Sequence, residues 1–162
     1  MHKTDEIIIN TGPIIALVAA LGDLQVLQKL YRRVLVPLEV CQEIERGGND
    51  GYAIPEFQAA NWLLKCHEPL KILNFISNSL DLGEAAVIQM ALNENVKTVC
   101  IDEAIGRRVA RLNGLALTGS VGVLIRAKKE GLIDSISEAI ECMKARNIWL
   151  SDRVVQFALR HE

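Results

Sequence analysis

The chain has 162 residues, of which half are hydrophobic and 4% aromatic, so its length suits one domain with an aliphatic core. Its 18 Lys and Arg nearly balance 20 Asp and Glu, and the net charge of −2 excludes a general attraction to nucleic acid or anionic lipid. The first residues lack the apolar core of a signal peptide, and no apolar run approaches the ~20 residues that cross a bilayer. We therefore expect a cytoplasmic protein without a membrane partner.

Short apolar runs without polar alternation, typical of strands covered on both faces, alternate with segments typical of helices. The predicted strands are, in chain order, 7–9, 34–36, 62–65, 96–101 and 115–117. The predicted helices are 14–20, 24–30, 38–45, 69–77, 104–113, 120–130, 136–146 and 152–160. A further predicted helix, which Asp81–Glu84 lead into, ends at residue 92. Residues 49–58 are predicted to be a loop or a short helix.

This alternation predicts an α/β fold, a three-layer α/β/α sandwich with a central parallel sheet. We expect residues 1–162 to form a single domain, with C-terminal helices from about residue 136. The carboxyl ends of the strands then form the edge of the sheet at which binding sites are built.

Polar side chains occur where two of the predicted strands end. Asn10 follows the first strand and Asp102 the fourth, while Glu43 and Glu84, on predicted helices, could reach the same edge. Oxygen ligands of this kind suit Mg²⁺ or Mn²⁺, which can activate water and neutralise charge on a phosphate. The pattern suggests a metal-dependent nuclease with Glu43, Glu84 and Asp102 as catalytic residues. The metal ligands would be Asn10, Glu43, Glu84 and Asp102.

Each of these carboxylates also has an ordinary structural interpretation. Asp102 could cap the helix that follows it, and Glu84 could interact with its helix dipole from the first turn. Glu43 could lie on a solvated helix face. Since each of these uses is commoner than a metal site, the functional interpretation depends on the joint placement of the residues.

The clearest basic patch comprises Arg107, Arg108 and Arg111, of which Arg107 and Arg111 share a helix face. These arginines could follow a phosphodiester backbone or simply solvate the helix. Ser120 lies between a strand and a helix start, where backbone amides bind anions, and it could alternatively cap that helix. Together with Thr11, these residues are the candidate substrate-binding residues.

Four segments resemble, in order and spacing, the motifs of PIN-domain proteins. They are Ile8–Leu17, Val36–Glu43, Asp81–Ala85 and Val99–Asp102. The stretch from Arg107 to Ile133 is similar to a prokaryotic PIN-like branch related to toxin ribonucleases, so that the resemblance covers nearly the whole chain.

The resemblance implies a PIN-like fold and a metal-dependent endoribonuclease ancestry, with Asn10, Glu43, Glu84 and Asp102 as the site positions and RNA as substrate. Many such relatives are toxins paired with a small antitoxin protein, so an antitoxin partner is an open alternative here, as is a homodimer. Active members usually have Asp where this chain has Asn10. The alternative function is therefore a catalytically weakened nucleic-acid-binding or protein-interaction module.

Overall fold

A computed structural model describes residues 4–47 and 51–162, without the side chains of residues 4 and 5. The strands are β1 (Thr4–Ile9), β2 (Tyr31–Val36), β3 (Leu64–Lys65), β4 (Thr98–Cys100) and β5 (Ala116–Thr118). They form a 5-stranded sheet in the order β3-β2-β1-β4-β5, and all of its pairings are parallel. The predicted α/β fold with a central parallel sheet is confirmed.

The helices fall between the strands along the chain and continue after the last of them. They are α1 (Thr11–Leu21), α2 (Gln25–Leu30), α3 (Leu38–Glu45), α4 (Ile54–Ala59), α5 (Asn74–Ser77), α6 (Leu82–Glu94), α7 (Ala104–Leu112), α8 (Ser120–Lys129), α9 (Ile136–Ala145) and α10 (Asp152–Leu159). Within the described part of the chain, none is both long enough and apolar enough to cross a membrane.

The core is built around the central strand β1. Ile7, Ile8 and Ile9 are all fully buried although successive side chains of a strand point to opposite faces, so the sheet is covered on both sides. Helices α1, α8 and α9 contact one another, and α6 contacts β1, β4, α3 and α7. Because both faces of β1 are covered, its buried part is an unbroken apolar run in the sequence.

Strand β2 begins at Tyr31, earlier than the predicted start at residue 34. Arg32 and Arg33 are exposed within it, and Arg33 pairs across the sheet with Glu6, to which its guanidinium donates a hydrogen bond. The polar half of this strand is therefore stabilised by a cross-strand ion pair, which an apolar pattern does not detect.

The predicted helix at 69–77 is wrong over most of its length, because only Asn74–Ser77 is helical. Two buried side chains hold the preceding segment by its backbone amides. Leu70 N–H donates to Glu39 Oε2 at 2.9 Å, and Leu73 N–H donates to Gln89 Oε1 at 3.0 Å.

The predicted strand at 62–65 is also shorter in the structure, since β3 spans Leu64–Lys65. Of the segment 49–58, residues 49 and 50 lie outside the described residues, and the rest includes the short helix α4.

The side chain of Glu162 holds the start of α9. Its carboxylate accepts hydrogen bonds from Ile136 N–H at 2.7 Å, Ser135 Oγ at 2.8 Å and Ser137 N–H at 3.2 Å. The bond from Ile136 and then the others lower the pKa of Glu162 to about 2. The stabilisation is therefore complete above the ordinary carboxyl pKa and is lost as the pH falls from there through the lowered pKa of about 2.

We predict that Glu162→Gln lowers the melting temperature at neutral pH, because the variant replaces the charged carboxylate that accepts the hydrogen bonds at this helix start. Glu138→Gln is the matched control, since Glu138 lies in the first turn of the same helix without accepting these bonds. Differential scanning calorimetry of both variants measures the effect. Equal melting temperatures of the two variants would show that the Glu162 contacts contribute nothing.

Candidate metal centre

The candidate site lies where β1 and β4 end side by side. Ile9 pairs with Cys100, and Asn10 N–H extends the pairing by donating to the carbonyl oxygen of Cys100 at 3.1 Å. Asn10, the first residue after β1, and Asp102, the second residue after β4, are therefore placed at one edge of the sheet.

A cavity of about 240 Å³ opens at this edge. Its lining combines the start of α1 with acidic side chains from separate segments of the chain. The lining residues are Asn10, Thr11, Gly12, Pro13, Ile15, Glu43, Asp81, Asp102 and Glu103. The structure thus brings together Asn10, Glu43 and Asp102 of the predicted metal ligands, and it adds Asp81 and Glu103.

Two residues that line this cavity each carry a buried polar atom without a hydrogen-bond partner. Asn10 and Thr11 are only 5% and 6% exposed, and neither Asn10 Oδ1 nor Thr11 Oγ has a hydrogen-bond partner among the described residues. Asn10 is also the N-cap of α1, yet its side chain makes no cap hydrogen bond. Because an unsatisfied buried polar group costs free energy, both atoms favour a ligand in the cavity.

Glu43 and Asn10 approach each other beside Gly83. A methyl group on Gly83 would lie 2.7 Å from Glu43 Oε2 and 3.1 Å from Asn10 Oδ1, so only glycine leaves room for both oxygens. Partial burial raises the pKa of Glu43, and the Asp81 carboxylate raises it further because like charges repel. The nearby Thr11 hydroxyl offsets part of this rise, although its geometry is not that of a hydrogen bond.

Asp102 does not cap the helix that follows it. Its Oδ1 accepts a hydrogen bond from Ser120 N–H at 2.8 Å, and its Oδ2 accepts one from Ser120 Oγ at 2.9 Å. The carboxylate therefore lies at the start of α8, where the helix dipole favours a negative charge. Asp102 is exposed as a residue, but protein atoms crowd its carboxyl group, and this desolvation raises its pKa against the lowering effect of Ser120 and Arg107.

Arg107 does not line the cavity but connects the ends of β4 and β5. Its Nη1 donates to the carbonyl oxygens of Ile101 at 2.8 Å and Thr118 at 3.1 Å. A methyl group on Gly119 would lie 2.6 Å from Asp102 Oδ1 and 3.1 Å from this same nitrogen. Gly119 has an extended backbone, so it is needed here for space and not for its conformational freedom.

Glu84 lies behind the cavity wall and is 6% exposed. It forms a capping box at the start of α6, with Glu84 N–H donating to Asp81 Oδ1 at 2.8 Å and Asp81 N–H donating to Glu84 Oε1 at 3.4 Å. Its Oε2 faces the position that a side chain on Gly106 would occupy. Burial, followed by the Asp81 carboxyl, raises the pKa of Glu84 to about 7.

The predicted substrate-binding residues divide between the cavity and its surroundings. Thr11 lines the cavity, whereas Ser120 is buried behind Asp102. Arg108 and Arg111 are exposed on α7 and do not line this cavity. The structure therefore leaves them as surface cations outside it.

Sequence reasoning did not identify Asp81, Glu103 or the glycines as parts of the site. Asp81 and Glu103 are the N-caps of α6 and α7, and an acidic residue immediately before a helix is usually explained by capping alone. Gly83 and Gly106 lie inside helices, where glycine is unfavourable. That unfavourable placement is the signal that could have revealed their close approach to the carboxylates.

The donors around the cavity suit a hard divalent cation. The buried Oδ1 of Asn10 needs a partner, and carboxylate and amide oxygens are the ligands that Mg²⁺ and Mn²⁺ prefer. Among the described residues, no group of three or more acidic, His or Cys side chains is arranged to hold a metal ion. Mg²⁺ typically uses one or two carboxylates and keeps several waters, so an amide with few carboxylates is compatible with such an ion.

We predict that Glu84→Gln stabilises the metal-free protein at alkaline pH. The pKa of Glu84 is raised from an ordinary value near 4.5 to about 7, so its stability contribution declines as the pH rises through that interval. Glutamine retains the capping box but stays neutral. In urea unfolding in a chelating buffer, the free energy of unfolding of Glu84→Gln should decrease less steeply with rising pH than that of wild type. Glu94→Gln, at the other end of α6, is the control that should keep the wild-type slope, and a wild-type slope in Glu84→Gln would contradict the prediction.

Comparison with known proteins agrees with this architecture. A family model described as a PIN domain matches residues 6–162. No curated protein gives a match. The matched region includes all of the parallel sheet from residue 6 onward and every residue that lines the cavity. The chain therefore belongs to the PIN-domain family, whose fold is of the nuclease type.

Proposed function

We propose that this protein is an endoribonuclease that hydrolyses RNA phosphodiester bonds with bound Mg²⁺ or Mn²⁺. The observation that carries the proposal is the buried, unpartnered Oδ1 of Asn10 in a cavity that Glu43 and Asp102 also line. The family match supports a nuclease-type fold, and the carboxylates supply the oxygen ligands that the chemistry requires.

Asn10, Glu43 and Asp102 would hold the cation. When bound, such a cation lowers the pKa of water and neutralises charge that develops on the phosphate. Ser120 fixes the Asp102 carboxylate through both of its oxygens, so the charge of Asp102 is held in place before any ligand arrives. Glu84 remains a predicted ligand, but its Oε1 accepts from Asp81 N–H and its Oε2 lies beside Gly106, and in this arrangement it acts through its charge.

The start of α1 would bind an oxygen of the substrate phosphate. The first amides of a helix have no partner within the helix, and here Thr11 and Gly12 carry them at the cavity. Thr11 Oγ, buried and unpartnered, is an additional donor. A methyl group on Gly12 would meet nothing within 4 Å, so this part of the cavity is open to a ligand.

Glu43 is also suited to accept the proton of the attacking water. In the metal-free protein, its raised pKa brings its basicity closer to neutral pH than that of an ordinary carboxylate, which favours proton transfer to it. Its Oε2 lies beside Asn10 Oδ1, in the space that Gly83 leaves open.

The proposal leaves a place for protein partners. A toxin role with an antitoxin protein, which the family resemblance suggests, and a homodimer are both compatible with this activity and remain predictions.

The second candidate function is a PIN-like module that binds nucleic acid or protein without efficient catalysis. The neutral amide of Asn10 favours it, and so does the finding that, in residues 4–47 and 51–162, no three acidic, His or Cys side chains are arranged to hold a metal ion. An amide supplies only a dipole to a cation, whereas a carboxylate supplies a full charge. Measurements on Asn10 variants therefore separate the two functions.

We predict that Mn²⁺ raises the melting temperature and that Asp102→Asn abolishes the rise. A cation at tenfold its Kd stabilises the folded state by about 1.4 kcal/mol, or roughly 3–6 °C for a domain of this size. Asp134→Asn, an exposed Asp outside the cavity, is the matched control. Equal shifts in wild type and Asp102→Asn would place the metal elsewhere.

We predict slow Mn²⁺-dependent cleavage of single-stranded RNA that Asp102→Ala removes. Asn10→Asp should increase cleavage at low metal concentration, because the added charge tightens cation binding. Gel analysis of end-labelled RNA measures both effects, with Asp134→Ala as the control. If neither wild type nor Asn10→Asp cuts several RNAs with Mg²⁺ or Mn²⁺, the enzyme proposal fails and the binding module replaces it.

A further inference from the structure

A second, larger cavity of about 590 Å³ adjoins the first. It lies between α1, the segment 51–56 and the residues that end α9. Ile15 lines both cavities, and it follows Thr11 by one helical turn, a rise of about 6 Å along α1. A strand of RNA with a phosphate at Thr11 would therefore carry its neighbouring nucleotide to this second cavity.

The cavity contains a stacked cation and aromatic ring. The guanidinium carbon of Arg146 lies 4.3 Å from the ring centroid of Tyr52, and both residues line the cavity. Tyr52 is fixed by its hydroxyl, which donates to the carbonyl oxygen of Val18 at 3.4 Å. Among the described residues, no Asp or Glu forms an ion pair with Arg146, so its charge is available to a ligand.

One residue of the cavity wall has an unfavourable backbone conformation. Ala53, next to Tyr52, has φ +77°, in the left-handed region that favours glycine. Conformations of this kind persist only where the surrounding structure imposes them, and they concentrate at ligand sites. On the other side of the cavity, Asn147 has φ +61° as an ordinary left-handed end of α9, in which Ile148 N–H donates to the carbonyl oxygen of Met143 at 3.1 Å.

We infer that this cavity binds a nucleobase of the RNA substrate, one nucleotide away from the phosphate in the metal cavity. This inference rests on the proposed function. Arginine planes and aromatic rings are the surfaces on which proteins stack unpaired bases. The Glu56 carboxylate and the Asn147 amide, which also line the cavity, would meet hydrogen-bond donors and acceptors on the edge of the base. The volume lies within the range of small-molecule sites, which is ample for one base.

The test compares two arginines that stack on aromatic rings in different places. Arg146 stacks on Tyr52 at the cavity, and Arg160 stacks on Phe157 on α10 with a distance of 5.5 Å to the ring centroid. Each is exposed, so alanine at either position removes one charge and one stacking contact without opening the core. Fluorescence anisotropy of labelled single-stranded RNA, in chelating buffer, gives the Kd of wild type, Arg146→Ala and Arg160→Ala.

We expect Arg146→Ala to raise the Kd by about 5- to 10-fold, the lower end of a lost base-stacking contact, and Arg160→Ala to leave it nearly unchanged. A set of RNAs with a single abasic nucleotide, moved along the strand, provides the second measurement. One abasic position should weaken wild-type binding and have no further effect on Arg146→Ala, because the base and the arginine then act as one coupled pair.

Two contrary results have different meanings. If wild type binds RNA but Arg146→Ala and Arg160→Ala bind it equally well, or if no abasic position is coupled to Arg146, the base-binding inference is overturned while the nuclease proposal stands. If wild type neither binds nor cuts RNA, the proposed function fails and this inference fails with it.

Discussion

The parallel pairing of β1 with β4 is the constraint on which the rest of the site depends. Ile9 opposes Cys100, and the next residue, Asn10, uses its own N–H to continue the pairing. A slip of one residue would turn the Asn10 side chain to the other face of the sheet. Because β1 is buried on both faces in the middle of the sheet, such a slip would also bring Glu6 or Asn10 into a buried position that an isoleucine fills, so core packing fixes the position of the polar atoms.

Acidic groups gathered at one edge repel one another, and the fold counters this with helix starts. Asp102 lies at the start of α8 and Asp81 at the start of α6, where partial positive charge stabilises carboxylates. Burial raises the pKa values of Glu43 and Glu84, and the Asp81 carboxyl raises them further, so part of the repulsion remains. A bound cation would supply further positive charge against this repulsion. The neutral side chain of Asn10 lowers the repulsion between side chains in the metal-free protein.

Much of the fold follows from local sequence patterns, because the unalternating strand at 7–9 and the helix that begins beside Glu84 depend on neighbours in the chain. The segment 69–77 could not be predicted in this way, since its backbone is held by side chains distant in sequence. The same holds for Asp102, whose partner Ser120 is 18 residues away. The strand ends therefore indicated where the site lies, while its exact contacts depend on tertiary packing.

The three glycines that lie against the carboxylates have a consequence for the whole family. Oxygens of Glu43, Glu84 and Asp102 each occupy space that a methyl group on Gly83, Gly106 or Gly119 would claim. A relative could keep every acid and still lose the site through a single alanine. An inventory of acidic residues would class such a relative as an intact nuclease, so sequence surveys that sort active from inactive members need to score the glycines as well.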